Sequence, residues 1–310
     1  MGTVFLGSGE FSRDLLSELL RAGFACDAVI TRPDHPAGRG LRLRSTALKS
    51  FAADEDIKVY QPSGPKDPAF LTALQELRPE FLLVADYGEI LPRTVLEYPP
   101  KGCVNVHPSL LPRYRGAAPI QRALMMGEST TGVALMVLDE GMDTGAIIVC
   151  EEIPIDPMDD AATLRRKLAS LGARMVIEWL PRYLAGAVVP HPQDEEYATY
   201  ADAITKSETL IDWTLAAPEI HNRVRALNPH PGAYAWLRGK RLKILRTAPR
   251  EEMMDIVPGT LGILRGGTLV VGTGKGALCL MEVQPEGKRP MSIDEFLRGY
   301  RLKNGESFDA

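Results

Sequence analysis

TVFLGSGEFSRDLLSELLRAGFACDAVIT, residues 3–31, carries the reading of the fold. Residues 3–7 are a short apolar run closed by Gly7. Phe11, Leu15, Leu16, Leu19 and Leu20 then recur at helical spacing, and Gly23 follows as a stop signal. CDAVIT, residues 26–31, is a second strand-like run. Strand, helix and strand with short connections predict a βαβ unit, and so a parallel sheet.

The alternation continues. Helices are predicted over 45–54, 68–77, 118–127 and 159–186, and strands over 57–61, 81–85, 102–107, 131–139 and 146–155. RPDHPAGRGLRLR (32–44), with two Pro, two Gly and four Arg, reads as a basic loop, and DYGEILP (86–92) as another. The pattern predicts an α/β domain over residues 1–188, a Rossmann-like doubly wound parallel sheet. VVPHPQDEEYATYADAITKSE (188–208) has little periodicity and predicts a linker over 189–206. One more helix, 214–227, precedes short strands separated by Gly-Gly and Lys-Gly turns, which predict a small β-barrel or sandwich over 207–310.

Composition bounds the function. The 310 residues are 45% hydrophobic and 25% charged, as in a globular chain able to bury a core. No run of about 18 apolar residues exists, so no membrane-spanning helix is expected. MGTVFLGSGEF lacks a basic stretch ahead of an apolar one and does not read as a secretory signal. Cys26, Cys103, Cys150 and Cys279 form no CxxC pair and have no histidines at metal-ligand spacing; they are expected to be buried free thiols, with no metal bound. The net charge of −4 hides an asymmetry: residues 206–250 hold nine Lys and Arg against three Asp and Glu. A basic module on an acidic chain can attract a polyanion, or can simply be a solvated face.

Three constellations bear on chemistry. GSGEFS (7–12) follows a strand and opens a helix, but Ser12 stands where a dinucleotide fingerprint needs its third glycine, so NAD is not expected. In NVHPSLLPRYRG (105–116), Asn105 and His107 lie on one side of a strand end, where ligands of open α/β sheets bind. Pro108 and Pro112 stiffen the loop that follows. In EGMDTG (140–145), Asp143 sits between glycines on a loop. Asn, His and Asp together can form an acid–base and oxyanion set. A strand-end His that only makes structural hydrogen bonds, and a turn Asp, account for the same residues.

NVHPSLLPRYRGAAPIQRAL followed by TGVALMVLDEGMDTG resembles the folate-dependent formyltransferases, in the family's order and spacing. RPDHPAGRG (32–40), TYADAITKSETLIDW (199–213), VRALNPHPGAYAWL (224–237) and GKRPMSIDEFLRGYRLKNGESF (287–308) are similar to the inserted loop, linker and C-terminal domain of the branch that acts on methionyl-tRNA, so the resemblance covers essentially the whole chain. Gly7-Ser8-Gly9 stands where the family usually has Gly-Thr-Pro. Pro108 is more like the purine branch, whose enzymes lack this C-terminal module.

The resemblance implies an enzyme that transfers a formyl group from 10-formyltetrahydrofolate to the α-amino group of initiator methionyl-tRNA, for translation initiation. It implies Asn105, His107 and Asp143 as catalytic residues. Ser109, Leu110, Leu111 and Pro112 would line the folate site with Asp86, Tyr87, Gly88 and Ile90. Arg39, Arg42, Lys206, Arg223, Arg238, Lys240, Arg241 and Lys243 would meet tRNA, and the C-terminal module would be an OB-like barrel. A monomer in a bacterial cytoplasm is expected. The alternatives are a formyltransferase acting on an amino-sugar nucleotide and a non-catalytic folate- or RNA-binding relative.

Overall fold

A computed structural model of the chain describes residues 2–37, 42–250, 256–264 and 267–309, with the backbone alone at Ala37 and Arg42. The opening stretch forms strand β1 (Thr3–Gly7), helix α1 (Glu10–Arg21) and strand β2 (Ala28–Ile30). A hairpin of β3 (His35–Ala37) and β4 (Arg42–Arg44) follows. The expected basic loop is therefore partly strand, in pieces too short for periodicity to reveal. The sheet continues through α2 (Ala47–Asp54), β5 (Lys58–Tyr60), α3 (Pro68–Leu77), β6 (Phe81–Ala85), α4 (Arg93–Leu96), β7 (Cys103–His107), α5 (Pro119–Met125), β8 (Thr130–Val137), β9 (Ile147–Pro154) and α6 (Ala161–Leu184).

The strand order is β5-β2-β1-β6-β7-β8-β9. Pairing is parallel from β5 to β7 and antiparallel at β8 and β9. From β1 the chain moves first to β2 on one side and later to β6 on the other. The loops leaving β1 and β6 therefore part in opposite directions, and a crevice opens at their carboxyl ends. Asp86 bridges it, its carbonyl accepting from the N–H of Ser8 (3.0 Å) and Gly9 (3.4 Å). A Cβ on Gly9 would lie 1.7 Å from an Asp86 carboxyl oxygen. That contact is with the end of a side chain, which can move aside, so it does not by itself require glycine.

Strand parity sorts the faces. Val4, Leu6, Leu82, Val84 and Cys103 join Phe70 and Leu74 of α3 in one core, and Tyr87 meets Phe70 edge-on at 6.4 Å. Val106 points the other way, onto Gly172 of α6. Asn105 and His107 therefore share the α3 face with Cys103. Of the thiols expected to be buried, only Cys103 is; Cys26 and Cys279 are half-buried, and Cys150 is exposed because it takes an outward position on the edge strand β9.

The chain divides into two units, and residues 120–129 and 155–163 group with 203–310 in the second. That unit holds α7 (Ala217–Leu227), β10 (Ala233–Leu237), β11 (Lys240–Arg250), β12 (Leu261–Ile263), β13 (Leu269–Gly272), β14 (Ala277–Pro285), β15 (Met291–Ser292) and α8 (Ile293–Tyr300). It is antiparallel and strand-rich, in the order β10-β11-β14-β13-β12 with β15 on β14. Ile220, Val224 and Leu227 of α7 and Phe296 of α8 pack on Leu242, Ile244, Leu278 and Val283. No helix among the described residues is long and apolar enough to cross a membrane.

Phe70 is fully buried. Phe70→Ala leaves a cavity in the α3 core and is expected to cost about 3–5 kcal/mol. The midpoint of urea unfolding of the N-terminal unit measures it, and a loss below about 1 kcal/mol would contradict this packing.

Candidate active site

β7 enters the sheet between β6 and β8, in register Val84↔Asn105 and Asn105↔Met136. The row that contains Asn105 is otherwise apolar: Leu6, Val84, Met136 and Ile147. A buried amide there is costly unless it is hydrogen-bonded. Its partner comes from the β8–β9 loop: Asn105 Nδ2 lies 3.4 Å from Asp143 Oδ1. The same oxygen lies 3.6 Å from His107 Nδ1. Asn105 and His107 are buried, and the Asp143 side chain is 14% exposed. The structure therefore brings together the three residues picked out from two separate motifs.

Further bonds fix their orientation. Gly116 N–H donates to Asp143 Oδ2 at 2.8 Å, so only Oδ1 faces Asn105 and His107. His107 Nε2 lies 3.0 Å from the Tyr114 carbonyl, which can only accept, so Nε2 carries a proton. Nδ1, on the Asp143 side, is then the ring nitrogen that can take up or release another. Both distances to Oδ1 are long for hydrogen bonds, so the three groups face one another without close pairing. Tyr114 (φ 61°) and Asp143 (φ 56°) are both left-handed, a conformation that L-residues rarely adopt without support from their surroundings. Gly116, Tyr114, Arg115 and Gln193 were not singled out from the sequence. The first three lie inside the quoted motif, whereas Gln193 carries no sequence signal.

The expected folate-lining residues divide by burial. Ser109 is buried, its hydroxyl donating to the Arg113 carbonyl at 2.7 Å. Leu111 is buried against Ala134, Met136 and Ile147, so it backs the loop. Leu110 is half-buried over Gly132, and Pro112 is half-buried. Across the sheet end, Tyr87 is a core side chain, while Ile90 is 59% exposed. Gly88 lies beside the Arg32 guanidinium. Burial pushes the Asp86 carboxyl up to about 6, with Arg32 opposing. The residue as a whole is exposed, so water screens part of this shift. Among the described residues, no three His, Cys, Asp or Glu side chains gather as metal ligands.

The cationic candidates lie apart from this cluster in the sequence. Arg39 is outside the described residues, and at Arg42 only the backbone, in β4, is described. Lys206 and Lys240 are exposed and Arg223 half-buried. Arg238 is paired with Glu306 (2.5 and 2.8 Å) and donates to the Tyr300 carbonyl. Arg241 stacks over the Tyr234 ring at 4.0 Å. Lys243 donates to the Pro231 carbonyl at 2.9 Å, and burial lowers its pKa, with Arg241 adding to the effect.

Residues 1–180 match the formyl transferase family, and residues 203–301 match the formyl transferase C-terminal domain. The chain belongs to the formyl transferase family. It is 44% identical over 302 residues to the methionyl-tRNA formyltransferase of Syntrophus aciditrophicus, covering 97% of each chain. That identity groups this formyl transferase with the methionyl-tRNA formyltransferases. Two solved structures share its fold at 19% identity. HypX from Aquifex aeolicus, in complex with tetrahydrofolic acid, has a TM-score of 0.67; the match covers 99% of this chain and 48% of that one. WlaRD, a sugar 3N-formyl transferase solved with dTDP and 5-N-formyl-THF, has a TM-score of 0.63, covering 93% and 99%.

The raised Asp86 pKa carries a sign. Against an unfolded value of 3.8, the Asp86 contribution to stability is fully present below about pH 4 and lost as pH rises through about 6. Asp86→Asn keeps an oxygen for the Phe11 N–H and removes that loss. The variant should melt higher than the parent above pH 6 and level with it below pH 4. A melting difference independent of pH would contradict the assignment.

Proposed function

We propose that this formyl transferase moves a formyl group from 10-formyltetrahydrofolate to the α-amino group of methionyl-tRNA, the initiator species. The observation that carries the reading is the meeting of Asn105, His107 and Asp143 at the end of β7, in a chain related along its length to methionyl-tRNA formyltransferases. When bound, the folate supplies a formyl carbon open to attack by an amine. The surroundings fit such a donor: exposed Ile90 and half-buried Leu110 offer apolar surface for a flat heterocycle, and backbone groups of residues 86–90 offer polar contacts to its edge.

The transfer forms one C–N bond and breaks another. The attacking amine must lose a proton, and the departing donor nitrogen must gain one. His107 Nδ1 accepts the first, because Nε2 is committed to Tyr114. Asp143 Oδ1 faces the resulting imidazolium and stabilises it. His107 then returns the proton to the leaving nitrogen. One Asn105 N–H points to Asp143, which leaves the other to donate to the oxygen where negative charge grows. Ser109 fixes the turn through Arg113, and Leu111 seats it in the core.

In this reading residues 207–310 form the tRNA-binding domain, joined by a linker over 189–206, and the enzyme acts as a cytoplasmic monomer. Lys206, Arg223, Arg238, Lys240, Arg241 and Lys243 supply its positive field, and Arg39 and Arg42 of the inserted loop steer the acceptor end. Phosphate contacts of this kind give affinity and salt dependence more than sequence readout.

Single-turnover transfer of labelled formyl to methionyl-tRNA tests the reading. Asn105→Ala is expected to lower the rate by about 10²–10³. Asp143→Asn is expected to lower it by about 10²–10⁴ while donor binding persists. A near-parental rate removes the altered residue from the mechanism. Arg39→Ala should weaken use of tRNA and reduce the salt dependence of binding without affecting folate; equal loss of both would overturn its assignment.

A further inference from the structure

We propose that Gln193 is a positioning residue for the transfer: an amide anchored at both ends that sets the angle at which Asp143 meets Asn105 and His107. The inference rests on the reading above and adds a residue to that same site. Gln193 Nε2 donates to the carbonyl of Asp143 (2.7 Å) and to that of Gly145 (2.8 Å). Its Oε1 accepts from Arg115 Nε (3.0 Å) and Nη2 (2.8 Å). The acceptor end is thereby assigned to the guanidinium, which leaves the NH₂ end for the two carbonyls.

Arg115 is itself held on both edges of its guanidinium. Its side chain is fully buried, and its other edge pairs with Glu195 at 2.7 and 2.9 Å. Its backbone is laced to the same distant segment, with Arg115 N–H on the Thr199 carbonyl (2.8 Å) and Ala201 N–H on the Arg115 carbonyl (2.7 Å). The next residue, Gly116, holds Asp143 Oδ2, and the preceding one, Tyr114, holds His107. Arg115, Gly116, Asp143 and Gln193 thus close a hydrogen-bonded ring. Gly116 fixes the carboxylate and Gln193 the backbone that carries it. Asp143 has a φ of 56°, in the left-handed region that aspartate tolerates better than most L-residues, and the two bonds from Gln193 hold the loop in that conformation. A Cβ on Gly145 would meet the Val137 carbonyl at 1.8 Å, so that side of the loop has no slack.

Gln193→Glu isolates the effect. The substitution keeps size and strengthens the contact with Arg115, but it turns an acceptor oxygen toward two carbonyls. With full-length enzyme, methionyl-tRNA and 10-formyltetrahydrofolate, kcat is expected to fall about 10- to 100-fold, the scale of an ångström's misplacement at a reacting centre. KM for both substrates should stay within about twofold, and in an Asp143→Asn background the change should add less than about twofold. Hydrogen exchange without substrates should quicken about tenfold over residues 139–145 in Gln193→Ala, with β1, β6 and β7 unchanged. A kcat within twofold of the parent, a rise in KM matching the loss of kcat, or unchanged exchange over 139–145 would each overturn the role. If the parent enzyme fails to formylate methionyl-tRNA, the functional reading falls and the catalytic role of Gln193 with it, and exchange then tests only whether Gln193 anchors the loop that carries Asp143.

Discussion

The burial of one amide organises the site. β7 is paired on both sides, and parity turns Asn105 into a row of Leu6, Val84, Met136 and Ile147. A polar group in that position loses most of its water and needs compensation within the protein. Asp143 is the side chain that reaches it, and Asp143 also faces His107. The carboxylate needs compensation in turn, and Gly116 N–H provides it. Each polar group placed here requires the next, so the network extends outward until Glu195 meets solvent. Buried polar networks of this kind are rigid when every member is satisfied, and rigidity is what a reacting centre requires.

The division of labour along β7 follows from the same geometry. Cys103, two residues before Asn105, lies on the same face but joins the apolar core with Phe70 and Leu74. Burial pushes its thiol up to about 12, so it stays neutral and inert at that end. Toward the carboxyl end the core gives way to the crevice, and side chains on the same face become chemical. One strand face thus serves stability at its start and function at its end, as the switch point of an open α/β sheet permits.

Much of this was legible in the sequence because it depends on local patterns. The βαβ start follows from the spacing of Leu15, Leu16, Leu19 and Leu20 after a short apolar run. Asn105 and His107 stood out because polar residues in step break an apolar strand just before Pro108. The network beyond them was not legible. Gln193 lies in a Pro-rich stretch with no period, and it acts on backbone carbonyls, which look alike in every residue. Arg238 is visible as a cation, but its pairing with Glu306 depends on how the C-terminal segment returns to β10. The hairpin of β3 and β4 escaped because three-residue strands carry no period. The exposure of Cys150 depends on β9 being an edge strand, a fact of strand order rather than of local sequence.

The two halves of the proposed function place opposite demands on structure. Formyl transfer depends on ångström-scale placement, and the residues proposed for it, Asn105, His107 and Asp143, are buried or nearly so, with Asp143 in a left-handed backbone conformation. Attraction of a polyanion needs only a field that extends over a Debye length, about 8 Å at physiological salt. Cations at Lys206 and Lys240 can therefore sit exposed on a surface without fixed geometry. Internal pairing does not affect the proposed contacts equally: the pair with Glu306 weakens the contribution of Arg238 to the field, whereas Lys243, held by a carbonyl, contributes its whole charge. On the proposed function, variation among these cations should be tolerated one at a time, whereas variation in the ring that holds Asp143 should not.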